Sequence, residues 1–511
     1  MPAKGGGGAG GRRGQSDGRQ PDVGHGLGHG RASIAGVDQA GPQDGEHADE
    51  STLEPESRSA RELGHLGRLI GADAADVEHS RRSNTAAFNV LAQRPISGEL
   101  PALDGSLRPP SKGSPVRLPV VDHHALLRLP ANWPRVLSPD VLARLDYPTP
   151  YLICDLDTVR ARYARLRSTM PGVDVHYAVK CNPSLPVLTA LAEEGAGFEI
   201  ASLGELELLQ AAGVDAADVL YSNPVKPSRH IAEAHAAGLW RFAFDSEGEL
   251  YKLATHAPGA AVYVRLRVDD SASVFPLSRK FGAEAHEARA LMLLARNLGL
   301  RPYGVTFHVG SQCTAPSAWR QAVSATGRLL ARLQDDGIEL EMLNLSGGFP
   351  ARYVEQVTPL HQIANTITAA VDELLPYRPE RLVAEPGRYL VAESAVLVAS
   401  VLGREVRAGE NWLYLDVGAY HGLMETQQAM NPWRYPLWSS RPDHATAIHE
   451  PFTVTGPTCD SSDTMFFGAS LPNSIDIDDQ VYIGSAGAYT LSYATHFNGF
   501  PPPVPHFVEE R

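Results

Sequence analysis

The 511-residue sequence predicts an α/β protein: a (β/α)8 TIM barrel followed by a C-terminal β-rich domain. Three observations carry that expectation. From Asp174 onward, short runs rich in β-branched and aromatic residues alternate with helical stretches, the pattern of βα units around a parallel sheet. The alternation repeats eight times in about 210 residues, which is the length and count of a barrel. Finally, Lys180, Ser202, Asn223, Asp245, Asp269, His308, Ser311, Gly347, Gly348 and Glu385 all fall at or just beyond the C-terminal ends of those runs, where barrels assemble their sites. An open doubly wound sheet is the rival arrangement, and eight regular units favour closure.

In chain order, the predicted barrel strands are VDVHYAV ending at Val179, FEIA from Phe198, VLYS from Val219 and RFAF from Arg241. VYVRLRV from Val262, GVTFHV from Gly304, MLNLS from Met342 and RLVAE from Arg381 complete the set. Amphipathic helices over 203–212, 228–237 and 315–336 lie between them, each stopping at a glycine (Gly213, Gly238, Gly337) that can take the left-handed conformation of a helix end. Beyond the barrel, strand-like runs at 395–402, 412–417, 450–456 and 480–483, separated by Gly and Pro turns, read as the second domain. YLICD, from Tyr151, adds a strand to that sheet, and Asp157 is the expected cap of the helix entering the barrel. The partition is residues 1–120 as an extension, 121–156 as a lead-in with the first β-domain strand, 157–388 as the barrel and 389–511 as the β domain.

Composition sets further bounds. Residues 1–120 hold one aromatic, Phe88, among many Gly, Arg, Ser, Asp and His, too few large apolar groups to offset the entropy of ordering. That segment is expected to be disordered and to carry no site residue, apart from a short helix over 61–76; Gly-rich filler is preferred over a targeting role. No run approaches the ~20 apolar residues of a membrane span, and no signal-peptide core is present, so a soluble, cytoplasmic protein is expected. Four cysteines without paired spacing disfavour a disulfide framework and a zinc site, and are expected to be reduced thiols. The formal net charge of −14 disfavours nucleic acid as a partner and suits a small cationic substrate.

The chemistry is concentrated in a few motifs. Lys180 closes an apolar strand in YAVKCN; alone it reads equally as a lysine snorkelling to a rim, but with anion-binding motifs downstream it becomes a Schiff-base candidate, its amine freed by a burial-lowered pKa. Gly347 and Gly348 in LSGGFP allow backbone amides to approach a phosphate, although a glycine pair also makes an ordinary βα turn. Arg388 in EPGR offers a fixed fork for the same anion, and Ser311 and Tyr489 offer hydroxyls. Glu385, ending the eighth strand, points a carboxylate into the barrel mouth; it suits a pyridine nitrogen, and the ordinary alternative is a pairing with a loop arginine. His308 suits a metal, general-base or ring-stacking role, and stacking is preferred because no second ligand stands at metal spacing.

Together these motifs resemble the fold-type III pyridoxal-phosphate decarboxylases, the ornithine, lysine, arginine and diaminopimelate decarboxylase group that shares its barrel and cofactor with alanine racemase. The resemblance covers about residues 146–505. It implies pyridoxal 5'-phosphate as cofactor, Lys180 as its covalent anchor, Glu385 on the pyridinium and His308 stacked on the ring. It also implies Ser311, Gly347, Gly348, Arg388 and Tyr489 on the phosphate, and no metal. From the same resemblance, Cys459 is the proton donor and Asp460 the ligand of the substrate's distal amine, both contributed by the second subunit of a homodimer with shared active sites. The diaminopimelate enzymes typically carry Cys-Glu-Ser at this point and need a cation for a distal carboxylate. Cys459-Asp460-Ser461 fits a basic amino acid instead, with L-ornithine favoured and lysine close behind.

Three departures stand out: Glu199 where aspartate is common, Ser346 where a third glycine is usual, and the spacing of DVGAYHGLMET, in which Asp416 is the candidate second substrate ligand. GLMET is similar to bacterial ornithine or lysine decarboxylases. A catalytically silent relative of the antizyme-inhibitor kind is the alternative of another class, and retention of Lys180, Glu385, Arg388, Cys459 and Asp460 speaks against it. A racemase on the same barrel would use a tyrosine where Cys459 stands.

Overall fold

The structure is a computed structural model that describes residues 133–429 and 432–510. The expected extension over 1–120 and its helix at 61–76 lie outside the described residues.

Eight parallel strands close a barrel. They are β2 (Val173–Ala178), β3 (Gly197–Ile200), β4 (Val219–Tyr221), β5 (Arg241–Phe244), β6 (Ala261–Leu266), β8 (Arg301–Phe307), β10 (Met342–Asn344) and β11 (Arg381–Ala384). The ring closes where β11 pairs with β2, Leu382 opposite Val173. Alternation of side chains along each strand separates two cores. Leu220, Ala243, Tyr263, Tyr303, Met342 and Val383 form a cluster of their own that fills the barrel. Their strand neighbours Val219, Phe242, Val262, Val264, Leu343 and Leu382 join the main core under the helices. The filled interior is the floor of the site.

Helices Leu203–Ala211, Ser228–Ala236 and Pro316–Asp335 match the expected spans to within a residue, and Gly213, Gly238 and Gly337 follow them with φ of +82°, +99° and +71°. The helix Leu156–Thr169 is capped by Asp155, which accepts from the Asp157 amide at 3.1 Å, rather than by Asp157 as the sequence suggested. The strand β1 (Tyr151–Asp155) runs into the helix without a linker, which moves the cap two residues back.

The second sheet has eight strands: β1, β12 (Ala395–Arg407), β13 (Glu410–Leu415), β14 (Leu437–Ser439), β15 (His449–Thr455), β16 (Thr464–Pro472), β17 (Gln480–Gly484) and β18 (Val504–Val508). β1 lies antiparallel to β12 and parallel to β18, so a strand from before the barrel is built into the sheet that follows it. A short antiparallel pair not foreseen from the sequence, β7 (Ser273–Phe275) with β9 (Ser311–Cys313), stands above the barrel mouth. Among the described residues, no helix is long and apolar enough to cross a membrane, and all four cysteines are free.

Candidate active site

Lys180 lies two residues beyond its strand, in the single helical turn Val179–Cys181. Backbone contacts bind this turn to two distant motifs. The Tyr489 amide donates to the Cys181 carbonyl at 2.8 Å, and Asn182 Nδ2 donates to the Gly487 carbonyl at 3.1 Å. A Cβ on Gly387 would stand 2.9 Å from that of Cys181, and one on Gly487 would stand 1.8 Å from the Val391 carbonyl oxygen. YAVKCN, EPGR and GAYT thus pack backbone to backbone, and their glycines are required by contact.

Lys180, His308, Ser311, Gly347, Gly348, Glu385, Arg388 and Tyr489 line one cavity in the barrel mouth. The Lys180 side chain is 43% exposed to it and ion-paired to Glu199, which is 2% exposed. Burial pulls the lysine pKa down, but the carboxylates of Glu199 and Glu385 outweigh it and the net shift is upward. The expected burial-lowered amine is therefore corrected: Lys180 is held as an ammonium. Burial in turn raises the Glu199 carboxyl, despite Lys180 beside it.

Glu385 is fixed by three donors from two strand ends, β4 and β10. Oε1 accepts from Ser222 and from Asn344 Nδ2 at 2.7 Å, while Oε2 accepts from the Ser346 hydroxyl at 3.0 Å. Tyr263, rising from the barrel floor, reaches Ser222 Oγ at 2.8 Å. No arginine pairs with Glu385 among the described residues, so the ordinary alternative is not the one seen. His308 Nδ1 accepts from the Gly310 amide at 3.0 Å, which places the proton of the neutral ring on Nε2. Burial, then the charges of Arg265 and Lys180, hold its pKa well below the usual imidazole value. The ring is therefore neutral.

The glycine pair forms a close cradle. A Cβ on Gly347 would lie 2.8 Å from the Glu385 carbonyl oxygen and 3.3 Å from His308 Nε2; Gly348, at φ +101°, would bring one within 2.6 Å of the Gly310 carbonyl oxygen. Only glycine fits at either position. Arg388 departs from expectation. Its fork is occupied by Glu425, with Nη1 2.7 Å from Oε2 and Nη2 on Oε1. Nη1 also donates to the Tyr353 hydroxyl at 2.8 Å. Its Nε and Nη2 both reach Ser311 Oγ at 3.2 Å.

Cys459 and Asp460 do not line this cavity. Cys459 is exposed, its Sγ accepting from Asn498 Nδ2 at 3.3 Å. Asp460 accepts from the Ser462 amide at 2.9 Å and the Tyr420 hydroxyl at 2.8 Å, donors that hold its carboxyl below the usual range. Their turn is pinned by the buried Asp463, which accepts from the Ala419 amide at 2.7 Å and from Thr458 Oγ1 at 2.8 Å. Asp416, read above as a substrate ligand, is corrected: its carboxylate accepts from the Ser400 amide at 2.9 Å, which commits it to the β sheet. Sequence reasoning missed Arg265, Ser222, Asn344, Glu425 and Asp463; Glu425 stands inside GLMET and Asp463 closes TCDSSD, both motifs whose other residues drew notice. Among the described residues, no cluster of three or more potential metal ligands exists.

A glycine cradle beside an arginine and two hydroxyl-bearing residues, a neutral imidazole face and a carboxylate with three donors fit the phosphate, ring face and ring nitrogen of pyridoxal phosphate. Comparisons with known proteins agree. The family described as "Pyridoxal-dependent decarboxylase, pyridoxal binding domain" matches residues 156–392. A lysine/ornithine decarboxylase of Selenomonas ruminantium is 36% identical over 357 residues, covering 69% of this chain and 88% of its own. An ornithine decarboxylase of Caenorhabditis elegans is 34% identical over 372 residues, covering 70% and 87%. The solved structure of a lysine/ornithine decarboxylase from Vibrio vulnificus complexed with cadaverine superposes with a TM-score of 0.65 at 34% identity, covering 71% of this chain and 95% of that one.

Proposed function

This chain belongs to the pyridoxal-dependent decarboxylases of basic amino acids, and from that premise we propose that it converts L-ornithine to putrescine, with L-lysine as its second substrate. The observation that carries the choice of a plain ammonium is Asp460, a half-buried carboxylate held ionised by two donors beside the exposed Cys459 thiol. An anion there suits a distal ammonium, whereas diaminopimelate would present a carboxylate to it. A relative named for both lysine and ornithine favours the second substrate, since one methylene separates the two by only ~1–3 kcal/mol.

In this reading Lys180 Nζ is the covalent anchor of pyridoxal phosphate. When bound, the cofactor supplies the electron sink for the pair left as the α-carboxylate departs as carbon dioxide. Glu385, its carboxylate aligned by Ser222, Asn344 and Ser346, holds the proton on the ring nitrogen. His308 covers one ring face without placing a second charge beside that proton. The Gly347 and Gly348 amides, the Ser311 and Tyr489 hydroxyls and Arg388 hold the phosphate. Glu199 balances the Lys180 ammonium and is placed to accept the ammonium's proton when the amine is needed neutral.

Cys459 and Asp460 act from a second copy in a homodimer, Cys459 Sγ delivering the proton that replaces the carboxylate and Asp460 binding the distal amine. The exposure of Cys459, and the absence of both residues from the cavity of their own chain, support that assignment. Carbon dioxide release measured side by side from ornithine, lysine, diaminopimelate and arginine tests the proposal. Ornithine is expected to give the largest kcat/KM and lysine the next; preference for diaminopimelate or arginine would overturn the role given to Asp460.

A further inference from the structure

Both cations of the cavity are already paired with carboxylates: Lys180 with Glu199, and Arg388 with Glu425. The second pair is the more enclosed, the two side chains being 3% and 5% exposed. Its guanidinium is boxed by aromatic rings, with centroids at 5.1 Å for Phe275, 5.8 Å for Trp433 and 5.0 Å for Tyr489. Two-point pairing takes the outer ends of the fork, leaving the Nε edge, beside Ser311 Oγ, as the side turned to the cavity. A phosphate arriving there meets an arginine whose charge is cancelled at close range.

We propose that Glu425 is a positioning residue for the cofactor phosphate: it clamps Arg388 so that the Nε edge faces the cradle, and it cancels the arginine's charge. The phosphate is then held chiefly by the Gly347 and Gly348 amides and by hydroxyls. This rests on the reading that the glycine cradle takes the phosphate. It also changes what loss of Arg388 means. Removing the arginine leaves a buried carboxylate bare beside a dianion, so most of the lost affinity is repulsion from Glu425.

The test compares Arg388→Met, Glu425→Gln and the double variant by equilibrium titration of the cofactor-free protein with pyridoxal phosphate, and with pyridoxal as the probe lacking phosphate. Arg388→Met should weaken pyridoxal phosphate binding by roughly a hundredfold, and adding Glu425→Gln should restore at least about tenfold of that, the scale of one uncompensated charge at this range. Pyridoxal binding should change by less than about threefold throughout. A double variant that binds no better than Arg388→Met overturns the counter-charge role while leaving the cradle in place. Equal losses for pyridoxal and its phosphate would instead overturn the cradle itself. Should Arg388→Met fail to fold with its orphaned carboxylate, the double variant, which buries no net charge, decides alone: it should lie within about tenfold of wild type, and a larger loss refutes the proposal.

Discussion

Ser346 offers a measurement in which backbone strain and a single hydrogen bond separate. Its φ is +52°, in the left-handed region, where a side chain bearing Cβ costs roughly 1–2 kcal/mol. Its hydroxyl meets Glu385 Oε2 at 3.0 Å, a bond to a charged acceptor worth about 1.5–3 kcal/mol. Ser346→Ala keeps the strain and loses the bond, so the cofactor-free protein should lose about 1.5–3 kcal/mol. Ser346→Gly loses the same bond but relaxes the backbone; after the extra freedom of glycine in the unfolded chain, about 0.5–1 kcal/mol returns relative to alanine. Urea unfolding of wild type and both variants reads these differences directly, and titration with pyridoxal phosphate shows whether the loosened Glu385 also weakens the cofactor. The order wild type, glycine, alanine is expected. An alanine variant as stable as wild type would mean that the hydroxyl contributes nothing, and a glycine variant below alanine would mean that the left-handed backbone is not strained.

Further outcomes follow from other parts of the molecule. Lys180→Ala should abolish covalent attachment of the cofactor after borohydride reduction together with nearly all turnover, and a reduced adduct on another lysine would reassign the anchor. Mixing inactive Lys180→Ala and Cys459→Ala proteins should restore activity toward about a quarter of normal when chains exchange at random, because each mixed dimer owns one whole site; verified exchange without activity would refute sharing. His176, buried at the barrel wall, has its pKa lowered from 6.5 to about 4 by burial and then by Arg241. As pH falls, the unfolded chain therefore takes up the proton first, so stability fully present above pH 6.5 is lost between 6.5 and about 4, up to ~3 kcal/mol from this group. His176→Gln should flatten that slope in urea unfolding, and an unchanged slope would place its origin elsewhere.

What could be read from the sequence, and what could not, divides along a physical line. Strand period, the glycines that end helices and the glycines of the cradle are set by the local backbone. All eight barrel strands, Gly213, Gly238, Gly337, Gly347 and Gly348 accordingly stand where the pattern placed them. The three-residue strands β7, β9 and β14 stand outside the repeating βα units and carry too little pattern of their own, whereas β4 and β10, equally short, are recognised by their place in the repeat. The electrostatics were illegible for a different reason: each charged group takes its partner from another strand end or another domain. Lys180 looked like a lysine that burial alone would deprotonate, because nothing in YAVKCN announces that Glu199 meets it from the neighbouring strand. Arg388 looked like an open fork because Glu425 arrives from a four-residue helix in the β-domain segment. The two substitutions that had stood out against the family pattern are the exception, and they converge. Glu199, longer by a methylene than the usual aspartate, pairs with the lysine proposed as anchor; Ser346, in place of a glycine, donates to the carboxylate proposed for the ring nitrogen. Each departure therefore acts on a charged group of the same cavity, Glu199 on Lys180 and Ser346 on Glu385, and under the proposed function the two groups they act on are those that would hold the cofactor's covalent link and its ring nitrogen.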